Sequence, residues 1–492
     1  MNSTMVITVF GIVALAAIGV GGRRPAKGKL GEWTVGDRRF SPMTSWFLQA
    51  GESFTTFSFL GLAGLAFGGG VAATYALGYL AISLVTMYFI GPRTWRLGRD
   101  RGYLTQADFF ADRFGSPLLG KVVAVVGAVF LLPYLQLQIT GLGLIVQLAT
   151  GSKAGGHLSM VLATVLTAGF VLWSGIRGIA RVAYAKDVLM VLALVALLIA
   201  VPMSVTGGFD HIFDTVRDHN ASLLTIGGGY DKTWYTTALL ISAIGAGLNT
   251  MPHLWPPVLS ARSARALRQN YIWLPLYQVA LAIPVIVGFA AVLELAPNTT
   301  SNSVLLTMAG HTMPAWLVGV VAVAAAGAAM VPSAAIVMGI STLVSHNLLP
   351  ARTERNRLRV NHACVVIASG LALILALGRP GLLANLLLLT YGGLSQLAPA
   401  TVMALRRRNP LGATPALLGI VTGIGVLTWL TFAHVDVGSW DAGLIALGPN
   451  LAVTLGAHLV LRGRAGARGS TASAASARDG ATGVATPASA GV

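Results

Sequence analysis

The chain has few charged residues and almost no cysteine. Only 10% of its 492 residues are charged and 55% are hydrophobic, whereas an ordinary soluble domain is roughly a quarter charged. This composition excludes a disordered chain and a plain cytosolic enzyme. The one cysteine, Cys364, cannot form an internal disulfide, which excludes a disulfide-stabilised scaffold.

Acidic residues are especially scarce: the chain has 16 acidic and 33 basic residues, which gives a net charge of +17. On a soluble fold this excess would indicate nucleic acid, but in a membrane protein basic residues collect in the cytoplasmic loops instead. A membrane-spanning helix needs about 20 apolar residues, and thirteen stretches meet that requirement. The predicted spans are 4–21, 43–67, 71–91, 122–150, 156–175, 183–204, 234–259, 271–295, 314–345, 360–377, 380–404, 411–433 and 442–461.

The basic residues support this division of the chain. With the N-terminus outside, the cytoplasmic loops hold 29 of the 33 basic residues and the external loops hold four. This asymmetry predicts a multi-pass protein of the cell membrane with an external N-terminus and a cytoplasmic C-terminus. We expect the first span to be retained, because no positively charged segment precedes it. Residues 1–462 then form one transmembrane domain, and the Ala/Ser/Gly-rich residues 463–492 are predicted to be a disordered cytoplasmic tail.

Glu52 lies near the middle of the second predicted span, where an ionisable side chain is costly and by default marks a functional site. Gly51 precedes it, and Ser53, Thr55 and Thr56 follow. This pattern predicts an unwound helix whose free carbonyl groups coordinate a cation and whose half-helix ends face a substrate. The alternative is a glutamate hydrogen-bonded between helices, with the hydroxyl groups bonded to their own helix.

The seventh predicted span has a comparable weakness, because two glycines, Asn249 and Pro252 fall within nine residues. His253 follows as a candidate substrate or proton ligand, or else as a packing residue. Spans two and seven are five apart and run in opposite directions, which predicts inverted repeats over 43–204 and 234–404. The extra helices would be 4–21, 411–433 and 442–461. Lys186 and Asp187, at the start of the sixth span, are either an interfacial pair or a gating or coupling pair.

Nothing in the sequence favours an enzyme or an enzyme cofactor, because no zinc-ligand spacing, nucleophile elbow or P-loop occurs. The partners that we expect are a small organic solute, a coupling cation and the lipid bilayer. No nucleic acid and no obligatory protein partner is indicated.

Several separated motifs resemble those of the sodium:solute symporter family, and more specifically its monocarboxylate-permease-like branch. The loop after the third span, Leu104–Gly115, is similar to a characteristic family loop. The branch is indicated by Ser174–Gly178 with Ala185–Leu189, by Pro252-His253 with Val258–Ala261, and by Met330–Ala334.

The resemblance implies an all-α polytopic protein with the LeuT-type fold of inverted 5+5 helix repeats. It also implies symport of a small organic solute, with a monocarboxylate as the candidate, by alternating access. In sodium-coupled members, carbonyl groups that match Gly51, Phe54 and Gly327 hold Na⁺ together with two hydroxyl side chains. The hydroxyl positions fall on Met330 and Val331, which carry no oxygen, so a Na⁺ site would need a substitute such as Ser333.

Two coupling ions therefore stay open, Na⁺ and H⁺, because a midplane carboxyl group at Glu52 could carry either a proton or a charge for Na⁺. The candidate substrate and coupling residues also include Asp187, which the resemblance places at the entry to the sixth span. Two alternatives to a symporter are a sensor that kept the transporter fold without coupled transport and an uncoupled uniporter.

Overall fold

The structure is a computed structural model that describes residues 3–21, 28–150, 153–351, 353–378 and 383–481. Within these ranges the chain is helical, and the only β-type pairing is one isolated bridge between Phe40 and Ala261. The α-helices in chain order are α1 (Ser3–Val20), α2 (Leu30–Val35), α3 (Pro42–Ser53), α4 (Leu62–Gly69), α5 (Tyr75–Arg101), α6 (Gln106–Phe114), α7 (Pro117–Thr150), α8 (Lys153–Ser174), α9 (Ile176–Val205), α10 (Ile212–Asn220), α11 (Lys232–Gly247), α12 (Trp255–Ser260), α13 (Ala264–Val279), α14 (Ala282–Glu294), α15 (Val304–Thr312), α16 (Ala315–Thr342), α17 (Glu354–Gly378), α18 (Leu383–Leu394), α19 (Ala398–Ala404), α20 (Ala413–Phe432) and α21 (Ala442–Ala481).

Eleven helical stretches among the described residues are long and apolar enough to cross a membrane. The sequence predicts thirteen, and the two numbers differ where helices are interrupted. The stretch Phe57–Arg101 joins half of the second predicted span to the third, and the seventh predicted span is divided between α11 and α12. With 16 and 6 residues, neither half reaches the roughly 20 residues that a bilayer requires. The number thirteen therefore stays a prediction.

Helix α16 lies at the centre of the bundle, where it packs against α1, α7 and α9. Of the residues in its most apolar stretch, 94% are buried. Alanine, glycine and valine dominate this helix, and small residues let membrane helices approach closely. Contact with α1 is so close that a Cβ added to Gly11 would lie 2.2 Å from Val323 Cγ2.

The last helix, α21, continues to Ala481, so the structure is helical over the first part of the segment 463–492 that the sequence predicts to be disordered. Alanine is the commonest residue in this part, and it has the highest intrinsic helix propensity. Residues 482–492 of the predicted tail lie outside the described ranges.

Candidate functional site

The first interruption separates α3 from α4. Helix α3 ends at Ser53, and Phe54 then has an extended backbone with φ −92° and ψ 96°. The chain resumes a helical path through a π-helical turn over Phe57–Gly61. The backbone N–H of Thr56 has left the helical ladder and donates to Gln138 Oε1 on α7 at 3.1 Å. The chain is therefore unwound from Phe54 onward, two residues after Glu52, in the segment where the sequence predicts an unwound helix.

The second interruption separates α11 from α12. Asn249 has a left-handed backbone with φ 55°, a conformation that asparagine tolerates better than most residues. Its carbonyl oxygen accepts hydrogen bonds from Trp255 Nε1 at 2.9 Å and from Gln106 Nε2 at 3.3 Å. Gln106 Nε2 also donates to the carbonyl oxygen of Thr250 at 3.0 Å. These carbonyl groups, freed by the interruption, are thus satisfied by side chains of the protein.

A cavity of about 100 Å³ lies between the two interruptions. It is small beside the roughly 300–1,000 Å³ of pockets that take drug-sized ligands, which favours a solute of few atoms. Apolar side chains of α5, α12 and α13 form much of its lining. Polar groups reach it from α3 and from four tyrosines that come from four different helices, namely Tyr79, Tyr134, Tyr271 and Tyr391.

Glu52 is the acidic residue of this lining, and no lysine or arginine accompanies it among the lining residues that the structure describes. The residue is 6% exposed. Neither of its carboxyl oxygens has a hydrogen-bond partner within the described ranges. A buried polar group without a hydrogen-bond partner is energetically costly. A bound solute that donates a hydrogen bond to Glu52, or a proton on its carboxyl group, would reduce this cost.

Three other residues predicted for the site also line the cavity, namely Ser53, Thr55 and His253. The two hydroxyl groups are partly engaged in stabilising the interruption. Ser53 Oγ donates to the carbonyl oxygen of Gln49 at 3.1 Å, and Thr55 Oγ1 accepts from the backbone N–H of Ser58 at 3.3 Å. His253 is buried with its Nδ1 atom unpartnered among the described residues, and its ring lies 5.4 Å from that of Tyr134.

The remaining predicted residues lie outside the cavity lining. Thr56 and Asn249 are buried at the two interruptions. Asp187 lies in an ion pair with Lys186 at 2.7 Å. Ser333 Oγ donates to the carbonyl oxygen of Ala329 in its own helix at 2.7 Å.

The positions that the resemblance assigns to Na⁺ do come together. A Cβ added to Gly51 would lie 3.1 Å from Val331 Cγ1, and one added to Gly327 would lie 2.8 Å from Lys186 Cγ. Lys186 Nζ donates to the carbonyl oxygen of Gly51 at 3.0 Å, and the ring of Phe54 is centred 5.9 Å from the same nitrogen.

Lys186 and Asp187 are both buried, so their interpretation as an interfacial pair is wrong. The reason is the position of the helix start. Helix α9 begins at Ile176, and Lys186 therefore lies roughly three turns inside the helix. The alternative, a gating or coupling role, stays a prediction.

The four tyrosines and the carbonyl partner of Lys186 were not among the residues expected from the sequence. A tyrosine inside an apolar span carries a polar tip that needs a partner or a wet cavity, and that signal was available for Tyr79 and Tyr134. The contact between Lys186 and Gly51 had no local signal, because 135 residues separate the two in the chain.

The broken helices are also joined to each other at one end of the molecule. The backbone N–H of Phe40, just before α3, donates to the carbonyl oxygen of Ser260 at 3.1 Å, and the N–H of Arg262 donates to the carbonyl oxygen of Phe40 at 3.1 Å. Trp95 Nε1 donates to the carbonyl oxygen of Ala261 at 2.7 Å. We call this set of contacts the Phe40–Ala261 bridge. It holds the start of α3 beside the end of α12.

Comparison with solved structures supports this architecture. A Na⁺-coupled sialic acid symporter, solved in a substrate-bound outward-open state, matches with a TM-score of 0.78 at 13% identity, over 94% of this chain and 98% of that one. Mhp1, a transporter of the nucleobase-cation-symport-1 family, matches with a TM-score of 0.54 at 15% identity, over 86% and 93% of the two chains. These likenesses show that the fold is of the LeuT type.

Sequence comparisons identify the family. The family model named "Sodium:solute symporter family" matches residues 33–423. An uncharacterized symporter, YhjB of Bacillus subtilis, is 30% identical over 481 residues, which cover 94% of this chain and 98% of the relative. The monocarboxylate transport permease protein of Rhizobium johnstonii is 27% identical over 459 residues, which cover 90% and 89%. These proteins are transporters and not enzymes. The chain is thus a multi-pass, cation-coupled solute symporter that belongs to the sodium:solute symporter family.

Proposed function

We propose that this symporter imports a small organic solute that binds in the cavity beside Glu52. The observation that carries the proposal is the carboxyl group of Glu52, which lines the cavity without a hydrogen-bond partner in the described structure. A solute or a proton that donates to this group would offset the cost of burying it. The cavity also lies between two discontinuous helices, where transporters built from inverted repeats bind their substrates.

Import by alternating access requires the Phe40–Ala261 bridge to open. We place this bridge on the cytoplasmic side, because the basic loops 22–42 and 260–270 flank it. This orientation puts the N-terminus outside the cell membrane and the C-terminus in the cytoplasm. The solute would then leave the cavity between α3 and α12 once the backbone hydrogen bonds of the bridge are broken.

A short monocarboxylate is the first candidate solute. The relative from Rhizobium johnstonii carries the name of a monocarboxylate transport permease, and the cavity has the small volume that such a solute needs. Tyrosine hydroxyl groups can donate to a carboxylate. The hydroxyl groups of Tyr79 and Tyr391 lie 3.5 Å apart on the cavity lining, close enough to contact the two oxygens of one carboxylate.

A second candidate is a small zwitterion that carries an ammonium group as well as a carboxylate. The specific observation in its favour is the charge of the lining, where the described residues place Glu52 without a lysine or arginine. An ionised carboxylate in such a cavity attracts an ammonium group and repels a second carboxylate. The tyrosines would then contact the carboxylate of the zwitterion.

The coupling cation is Na⁺ or H⁺. Family membership favours Na⁺, and the position of Glu52 beside the solute favours a proton on the same carboxyl group. Coupling to Na⁺ and coupling to H⁺ can be distinguished with the purified transporter, because only a sodium-coupled protein requires Na⁺ for tight solute binding at constant pH.

The test is a solute screen with the purified protein in lipid nanodiscs. Thermal unfolding is measured with acetate, lactate, pyruvate, alanine and a neutral sugar, each in NaCl and in KCl. We expect a saturable stabilisation by a monocarboxylate whose apparent affinity changes in Glu52→Gln and stays the same in Ser333→Ala, a matched control whose hydroxyl bonds to its own helix. Stabilisation by alanine and by no other compound would identify a zwitterion, and not a monocarboxylate, as the solute. Equal stabilisation of the wild type and Glu52→Gln by every active solute would refute the proposed site.

A further inference from the structure

The side chain of Lys186 enters the region that a bound metal cation would occupy at the first helix interruption. Its exposed fraction is 0%. The Nζ atom lies 3.0 Å from the carbonyl oxygen of Gly51, and the stem is so close to Gly327 that a Cβ there would lie 2.8 Å from Lys186 Cγ. The centroid of the Phe54 ring lies 5.9 Å from the same nitrogen. All three residues assigned to Na⁺ by resemblance therefore lie beside the Lys186 side chain, Gly51 and Phe54 at its ammonium group and Gly327 at its stem.

The residues present do not fit a metal ion in this place. A hard cation requires several oxygen ligands, and the side chains of Met330 and Val331 have none. Ser333 could supply one hydroxyl oxygen at most, with its hydrogen donated to the carbonyl oxygen of Ala329, whereas the resemblance implies two hydroxyl ligands. The carbonyl oxygen of Gly51, a required ligand, already accepts a hydrogen bond from Lys186.

The ammonium group also has a counter-charge of its own. Asp187 Oδ1 lies 2.7 Å from Lys186 Nζ and accepts a hydrogen bond from Tyr277 at 2.9 Å. Asp187 is 2% exposed, so this is a buried ion pair with charge-assisted hydrogen bonds. A metal cation placed beside the carbonyl oxygen of Gly51 would meet a like charge at short range, and the two would repel each other.

We propose that the ε-ammonium group of Lys186 is a built-in cation that takes the place of the metal ion at the first helix interruption. It holds the last turn of α3, directly before the unwound segment, against α9 by its bond to Gly51, as a bound Na⁺ would. This position consequently binds no Na⁺, whichever solute the cavity takes, and the transported cation must use another group. The inference concerns a position outside the solute cavity and goes beyond the proposed function.

The proposal is tested by sodium binding to the purified protein, which needs no knowledge of the solute. Thermal unfolding in nanodiscs is measured against NaCl, with KCl replacing it at constant ionic strength. Three proteins are compared, namely the wild type, the double variant Met330→Ser/Val331→Thr, and a triple variant that adds Lys186→Met. We expect the triple variant alone to gain sodium-specific stabilisation beyond that of the wild type, with an apparent sodium affinity at least tenfold above that of the double variant.

The double variant is the decisive control, because it supplies the hydroxyl ligands and retains the ammonium group. A sodium-specific response in the double variant, equal to that of the triple variant, would overturn the proposal. So would equal sodium affinity in the triple variant and the wild type. If the triple variant does not fold, the double variant still decides, since the proposal requires its response to Na⁺ to equal that of the wild type. If the wild type binds none of the solutes in the screen, the proposed function is refuted and the result of this sodium titration still stands.

Discussion

Lys186→Met should destabilise the protein, because Lys186 forms a buried ion pair with Asp187. Lys186→Met keeps an unbranched apolar stem of similar length, so the packing against Gly327 changes little. The substitution removes two hydrogen bonds from a charged group, to Gly51 at 3.0 Å and to Asp187 at 2.7 Å. Hydrogen bonds to charged groups contribute about 1.5–3 kcal/mol each. Asp187 would keep only the hydrogen bond from Tyr277.

Removal of one member of a buried ion pair costs about 3–5 kcal/mol, because the other charge stays buried without compensation. We expect Lys186→Met to lower the free energy of unfolding by about this amount. The double variant Lys186→Met/Asp187→Asn should recover about 1–3 kcal/mol of the loss, since no uncompensated charge then remains. Tyr277→Phe, which removes one hydrogen bond to the Asp187 carboxylate and keeps the ion pair, should cost about 1.5–3 kcal/mol.

The assay can use the one cysteine of the chain as its reporter. Cys364 is free and buried in α17, so a thiol-reactive fluorophore labels it on unfolding in mixed micelles. A cost below about 1 kcal/mol for Lys186→Met would refute the reasoning. An equal or larger cost for the double variant would do the same, because it would show that the two charges are not coupled.

The remaining predictions concern transport, packing and pH. Glu52→Gln should abolish gradient-driven accumulation of the solute in proteoliposomes and leave the unfolding midpoint unchanged. Gly64→Ala should cost about 1–3 kcal/mol by overpacking, because the added Cβ would lie 2.0 Å from the carbonyl oxygen of Ser301, whereas Gly68→Ala meets nothing within 4 Å and should be nearly neutral. Burial disfavours the charged form of Asp108, but its hydrogen bonds with His346, the backbone N–H of Leu104 and Asn347 outweigh burial and lower its pKa below 3.8. This stabilisation is present above the unfolded-state pKa and is lost as the pH falls through the folded-state pKa. Unfolding free energy should therefore fall on acidification below about pH 4, with a shallower slope in Asp108→Asn.

Each of these expectations has a result that contradicts it. Unchanged accumulation in Glu52→Gln would remove that residue from the coupling mechanism. Equal stability of Gly64→Ala and Gly68→Ala would mean that α4 does not approach Ser301 as closely as the structure has it. An identical acid slope in Asp108→Asn and the wild type would show that the Asp108 contacts contribute nothing to folding.

The main features of the fold were predictable from patterns local in the chain. Low charge and long apolar runs indicate a membrane protein. Gly51 with the hydroxyl residues after Glu52, and the glycines and proline around Asn249, indicate interrupted helices at the positions where the structure has them. These signals are local because glycine, asparagine and proline act on the backbone of their own segment.

The candidate site was predictable only in part, because its groups meet through packing of distant helices. Glu52 and His253 were expected from polarity at mid-span. The side chains that complete the cavity, such as Tyr79 and Tyr391, lie 312 residues apart in the chain. Lys186 was ambiguous for the same reason, since only the packing of α9 against α3 decides whether its ammonium group reaches lipid headgroups or the carbonyl oxygen of Gly51.

The most direct test of cation-coupled import is solute accumulation in proteoliposomes under separately imposed gradients. Radiolabelled solute, selected by its stabilisation of the purified protein, is measured with an inward Na⁺ gradient alone and with an inward H⁺ gradient alone. Cation-coupled symport predicts accumulation above the external concentration under one of the two gradients, and none when that gradient is dissipated by an ionophore. Equilibration without accumulation under both gradients would contradict symport and indicate a uniporter. Solute binding with no uptake at all would indicate a sensor.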